Sequence, residues 1–90
     1  DIARYRSFTI ELEGHTESGH APVREDFGDW EISSERATAA RRKLLEHGVS
    51  PGQIRKVAGF ADTRPMPAHQ PEDEINRRVT VMLKIREAKN

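Results

Sequence analysis

Between Ser7 and Gly14 the chain alternates, with Phe8, Ile10 and Leu12 on one side and Thr9, Glu11 and Glu13 on the other. A period of two in β-forming residues predicts a strand with one buried face, and Gly14 ends it. From Asp29 the period changes. Trp30, Ser33, Ala37, Ala40 and Leu44 step by three and four, the spacing of one helical face. Glu31, Glu35, Arg42, Lys43 and Glu46 fall mostly elsewhere, on a solvated side. Acidic residues early and basic ones late suit the helix dipole, and Asp29 is the expected N-cap. Ala37, Ala39 and Ala40 favour helix and allow close approach to a sheet. Gly48, followed by Pro51, is the stop signal.

A second strand is expected over Gln53 to Ala61, anchored by Ile54, Val57 and Phe60, with Gly59 as a tight spot. Its alternation is less clean than that of the first. The third strand is the clearest: over residues 77 to 86, Val79, Val81, Leu83 and Ile85 alternate with Arg78, Thr80, Met82, Lys84 and Arg86. Residues 15 to 28 and 63 to 74 have no sustained period and carry glycine, proline and scattered charge, so both are long loops, a class that is usually functional. The order strand, helix, strand, loop, strand predicts an α/β (α+β) two-layer sandwich, one helix packed on a mixed β-sheet. The first two strands are joined through the helix and should therefore be parallel. One helix cannot cover three strands, so further structure is expected before residue 1.

Composition narrows the picture. Ninety residues, 34% hydrophobic and 33% charged, make one domain with a thin core. The 15 basic and 15 acidic residues cancel, which argues against a nucleic-acid footprint or polybasic membrane docking. No apolar run is long enough to span a bilayer. There is no cysteine, so stability must come from packing or a partner. Of the four histidines, His15 and His20 share a loop while His47 and His69 stand far apart in the chain. No metal site or cofactor is expected from that spacing, and His15 is better taken as bracing its loop.

Candidate chemistry collects at the ends of the elements. Glu17 lies in the loop that returns to the helix start, and Arg36 is roughly two turns into the helix. A carboxylate and a guanidinium around a concave site would complement a ligand bearing both an amine and a carboxylate; a plain surface ion pair is the alternative. Of Arg77 and Arg78, one is expected to contact ligand or order the loop and the other to be solvated or ion-paired. Asp62 and Arg64 are expected to serve the turn after the second strand. Glu17 and Asp62 could be imagined as the paired carboxylates of a hydrolase, but no nucleophile with an adjacent base accompanies them. A non-enzymatic binding module is the expectation. Trp30 could stack on a sugar; a core anchor with a satisfied N–H is favoured.

Three ordered motifs carry a resemblance: Gly14-His15-Thr16-Glu17, Asp29-Trp30-Glu31-Ile32-Ser33-Ser34-Glu35-Arg36-Ala37, and Asn76-Arg77-Arg78-Val79. Together they resemble the OmpA-like peptidoglycan-binding domain, across nearly all of residues 1–90. The run from Gly59 to Pro65 is similar to the version in flagellar motor stator B subunits. The resemblance implies that Glu17 and Arg36 hold the amino and carboxylate groups of diaminopimelate in the peptidoglycan stem peptide. It implies that Thr16, Asp29, Asn76, Arg77 and Arg78 belong to the peptidoglycan-binding site with them. It further implies a periplasmic domain, a parent protein anchored in the inner membrane, a homodimer, and a membrane channel subunit as partner. A tether from an outer-membrane protein or lipoprotein, and an interaction module that has lost peptidoglycan binding, are the competing readings. Two positions depart from the family pattern: Glu17 stands for the usual Asp, and Asp29 for the usual Asn, which loses two donors. The first strand and helix of the family are also missing ahead of this segment.

Overall fold

The structure, a computed structural model, describes residues 8–19, 22 and 24–85. Ser7, His20 and Arg86, which figure in the expectations above, lie outside the described residues. Strand β1 spans Phe8–Gly14, helix α1 Asp29–Glu46, strand β2 Ile54–Gly59 and strand β3 Val79–Ile85. Single 3-10 turns at Pro51–Gln53 and Glu74–Asn76 precede β2 and β3. The sheet order is β2-β1-β3. β1 pairs with β2 in parallel and with β3 antiparallel, so the sheet is mixed, as the element order required.

The core follows from the two periodicities. Phe8, Ile10 and Leu12 point from β1 toward Ala37 and Val49, all buried, with Ala40, Leu44, Ile54 and Val79 closing the cluster. Each large aliphatic side chain buried here is worth about 1.5–3 kcal/mol. The uneven alternation of β2 has a local cause. Ile10 faces Ile54 but Glu11 faces Lys56, so Arg55 is an extra residue that shifts the phase. Ile54 and Val57 therefore both lie on the helix side. Val57 still keeps 37% exposure at the sheet margin and is not the anchor its spacing suggested.

α1 lies over β1 and β2 and scarcely touches β3. A helix is about 10–12 Å across, which covers roughly two strands at a spacing of about 4.8 Å. Val81, Leu83 and Ile85 pair with Leu12, Ile10 and Phe8 and so share the helix face of the sheet. They nevertheless remain 49%, 46% and 74% exposed. Among the described residues the uncovered part of the sheet is thus an apolar stripe on an edge strand.

α1 starts one residue earlier than its cap was expected. Gly28 is the N-cap and Asp29 the first helical residue; the Glu31 carboxylate reaches back to accept the Gly28 N–H at 2.7 Å, the returning half of a capping box. The helix ends as expected, with Gly48 at φ +97°, a conformation glycine adopts without cost. Trp30 departs from expectation. It is 56% exposed, because it precedes the turn on which Ser33 meets the sheet, and it projects from the helix start instead of anchoring the core.

Candidate functional site

The C-terminal ends of β1 and β2 meet the first turns of α1, and two glycines make that contact possible. A Cβ on Gly14 would overlap the Ser33 carbonyl, and one on Gly59 would stand 2.5 Å from the Ser34 amide and 2.6 Å from Ser33 Oγ. Ser33, fully buried, donates to the Trp30 carbonyl at 3.1 Å and accepts the Ala61 N–H at 3.0 Å. Ala61 is held at φ +52°, an uncommon backbone state for a residue with a Cβ. Its carbonyl accepts the Thr16 N–H at 2.9 Å, while the His15 N–H donates to the Arg78 carbonyl at 2.8 Å. Residues 15–17 thereby continue β1 past its end, between the β2 and β3 exits, and His15, Thr16 and Glu17 are all buried.

The charged groups sort themselves around this segment. Arg77 donates from Nε at 3.0 Å and Nη2 at 2.8 Å to the same oxygen, Glu17 Oε2. That bond to Glu17 holds the Arg77 guanidinium above its ordinary pKa, with the charge of Glu74 at 3.9 Å assisting. Arg36 donates from Nη1 to the His15 carbonyl at 3.0 Å, one of five N–H donors on its fork. The surface ion pair between Glu17 and Arg36 that spacing allowed does not form; Arg36 reaches the backbone two residues before Glu17, and Glu17 engages Arg77 instead. Asn76, 1% exposed, accepts the Met66 N–H at 2.7 Å and donates to the Gln70 and Pro71 carbonyls at 2.9 and 3.1 Å. Arg78 donates to the Arg64 carbonyl at 3.0 Å and to Asn76 Oδ1 at 3.3 Å.

Of the residues named from the sequence, Thr16, Glu17, Arg36 and Arg77 converge on the end of β1. Asn76 and Arg78 fasten the loop of residues 64–76 against it. Residues 77 and 78 precede β3, which begins at Val79, so strand alternation does not govern them; both arginines have partners. Asp29 stands in the first turn of α1, and among the described residues no hydrogen bond joins it to this cluster. Asp62 accepts the Ser18 hydroxyl at 2.9 Å, which ties the turn after β2 to the loop after β1, and Arg64 lies 3.8 Å over the Phe60 ring.

Sequence reasoning did not find Glu13. It sits on the sheet face away from α1 yet is only 7% exposed. Lys56 at 3.5 Å, Arg64 at 3.8 Å and His15 at 3.6 Å surround its carboxylate, and Phe60 stacks on the His15 ring at 5.7 Å. Both His15 ring nitrogens and Thr16 Oγ1 are buried without a hydrogen-bond partner. Burial, with Arg78 nearby, pushes the His15 pKa down against the opposing pull of Glu13, so the ring is neutral at pH 7. Among the described residues no group of three His, Cys, Asp or Glu side chains is placed to hold a metal ion. No helix among them is long and apolar enough to cross a membrane.

Comparison with known proteins agrees with this architecture. Motility protein B of Escherichia coli (strain K12) is 35% identical over 75 residues, which cover 82% of this chain and 24% of that protein. The chain thus spans about a quarter of that relative's length. The C-terminal domain of Helicobacter pylori MotB superposes with a TM-score of 0.74 at 23% identity, covering 96% of this chain and 70% of that one. A MotB-like protein from Desulfovibrio vulgaris gives a TM-score of 0.73 at 24% identity, covering 97% of this chain and 54% of that one. These two likenesses establish the fold. The OmpA family model matches residues 2–78, and with the relationship to Motility protein B this places the chain in the OmpA family.

Proposed function

We propose that this domain binds the diaminopimelate-containing stem peptide of peptidoglycan without catalysis. The observation that carries the reading is the placement of Arg36. Its guanidinium sits 3.0 Å from the His15 carbonyl, two residues from the buried Glu17 carboxylate, so the two charges bracket the end of β1. Two residues of extended chain span about 7 Å. A ligand end carrying an ammonium and a carboxylate on one carbon can meet both, with the arginine fork gripping the carboxylate. Diaminopimelate offers that pair at its far end, whereas lysine offers only the amine.

In this reading Thr16 and Glu17 form the amine side of the site and Arg36 the carboxylate side. Arg77 positions Glu17, Asn76 and Arg78 hold the loop that walls the site, and Asp29 adds negative charge at the helix start. The relationship to Motility protein B supports assigning the domain to a flagellar stator. There it would anchor an inner-membrane channel complex to the cell wall from the periplasm, as part of a dimer. The same relationship is the reason to prefer this over an outer-membrane or lipoprotein tether.

The test is calorimetric titration with a soluble stem peptide containing meso-diaminopimelate, beside a lysine-stem peptide and the Arg36→Ala variant. Selective binding that weakens at least about tenfold, or about 1.4 kcal/mol, in Arg36→Ala is expected. Equal affinity for both stems, or an unaffected variant, would sink the reading.

A further inference from the structure

His15 is 1% exposed, and among the described residues neither of its ring nitrogens has a hydrogen-bond partner. A buried polar group left unpaired calls for a reason. The ring lies against Phe60, with planes 16° apart. Charged groups reach it from every element that meets the end of β1. Glu13 of β1 faces Nε2 through Oε1 at 3.6 Å, while its Oε2 is shared by Lys56 of β2 and by Arg64 at 3.5 and 3.8 Å. Arg78 acts from the entry to β3, and Arg36 of α1 reaches the His15 carbonyl. Glu17, further along the segment, is engaged by Arg77. Cations therefore outnumber carboxylates around the ring, and Glu13 Oε1 is the oxygen that faces it.

We propose that His15 is a proton-operated latch on the binding site: when its ring takes up a proton, residues 15–17 leave their seat at the end of β1 and the stem peptide is released. A charged imidazole in a buried position needs an acceptor or water, and movement toward solvent supplies the water. His15 cannot move alone. Its N–H donates to the Arg78 carbonyl and the adjoining Thr16 N–H to the Ala61 carbonyl, while its own carbonyl accepts from Arg36. Those bonds are the ones that set Glu17 and Arg36 on either side of the ligand, so losing them dismantles the site. Burial, then Arg78, pushes the ring's pKa down, with Glu13 opposing and Arg64 assisting, so the latch is closed at neutral pH and opens in acid. The neutral ring is the binding-competent form. Affinity is complete above the ring's pKa in the folded chain and falls about tenfold per pH unit below it, with the competent fraction. The inference rests on the stem-peptide reading for its ligand.

The experiment measures the affinity of a soluble meso-diaminopimelate tripeptide by calorimetry from about pH 7 to about pH 4.5, a window in which the ligand's ammonium and carboxylate keep their charges. Far-UV circular dichroism at each pH checks that the chain stays folded. In the ligand-free domain, nuclear magnetic resonance follows the His15 ring and the Thr16 amide. Ring and amide should titrate with one midpoint, below which affinity drops about tenfold per pH unit. Two variants outside the ligand site move that midpoint in opposite directions. Glu13→Gln removes the carboxylate that favours the charged ring and should lower it, whereas Arg64→Gln removes an opposing cation and should raise it. His15→Gln should flatten the pH profile. A ring that stays neutral down to about pH 4.5, an amide or an affinity that ignores the ring's titration, or a midpoint unmoved in both variants overturns the latch. No tripeptide binding at any pH, with ring and amide still titrating together, would overturn the stem-peptide reading and retain the proton-driven opening.

Discussion

Arg77 holds Glu17 through a single carboxylate oxygen, with Nε and Nη2 both directed at Oε2 from 3.0 and 2.8 Å. The two residues are 60 positions apart in the chain, so this contact closes the end of β1 against the turn that leads into β3. It also orients the carboxylate that the proposed ligand amine would meet. Glu17→Gln is expected to weaken stem-peptide binding by at least about tenfold, since it removes the charge itself. Arg77→Gln should cost only about two- to fivefold, because it disturbs position and not contact. Calorimetry on both variants decides the matter: equal losses would make Arg77 a direct ligand contact.

Ser33 and Gly59 are expected to be structurally sensitive positions. Ser33→Ala would leave the buried Ala61 N–H without its acceptor, at a cost of about 1–3 kcal/mol. Gly59→Ala would press a methyl group into Ser33 and Ser34, an overpacking worth about 1–3 kcal/mol. Urea unfolding of both variants measures this. Because Ala61 also accepts the Thr16 N–H, the Ser33 change should loosen residues 15–17 as well, visible as faster amide exchange at Thr16.

Acidification should act through two groups in separate windows. The His15 pKa is lowered from 6.5, chiefly by burial. Well above 6.5 both folded and unfolded chains carry a neutral ring. Below it the unfolded chain takes up the proton first, so folding stability falls with pH until the folded value is passed. Glu11 is lowered from 4.5, chiefly by its hydrogen bond with Lys84, at 2.9 Å. Its contribution is complete above 4.5 and is lost as pH falls through the folded value. Chemical denaturation from pH 7.5 downward should therefore show a decline beginning near 6.5 that His15→Gln removes. A slope that persists in His15→Gln would assign it elsewhere.

The bare stripe on β3 should favour self-association of this chain. Leu83 is 46% exposed on an edge strand, and edge strands with apolar faces invite pairing. Leu83→Lys is expected to change folding stability by no more than about 0.5 kcal/mol while shifting sedimentation toward monomer. A loss of several kcal/mol would instead mean that Leu83 belongs to the core.

The strand and helix periods were legible in the residues alone. Phe8, Ile10 and Leu12 had to share a face, and Gly48 had to stop the helix, because backbone geometry imposes those spacings wherever the chain goes. The motifs at the element ends were legible too, since each is a few consecutive residues. Which apolar face would find a cover was not. The β3 stripe has as regular a period as β1, yet α1 is wide enough to shield only two strands. Trp30 has helical spacing but lies beyond the turn that meets the sheet. Glu13 alternates like Glu11, and only the arrival of Phe60, Lys56 and Arg64 from β2 and its exit buries it. Glu17 meeting Arg77 in place of Arg36 is the same lesson at the site. Short-range backbone periodicity settles which residues lie together on a local element, and it can be read from the order of residues. Which distant groups face one another emerges only in the folded chain, because it depends on how the elements stack and where one helix runs out of width.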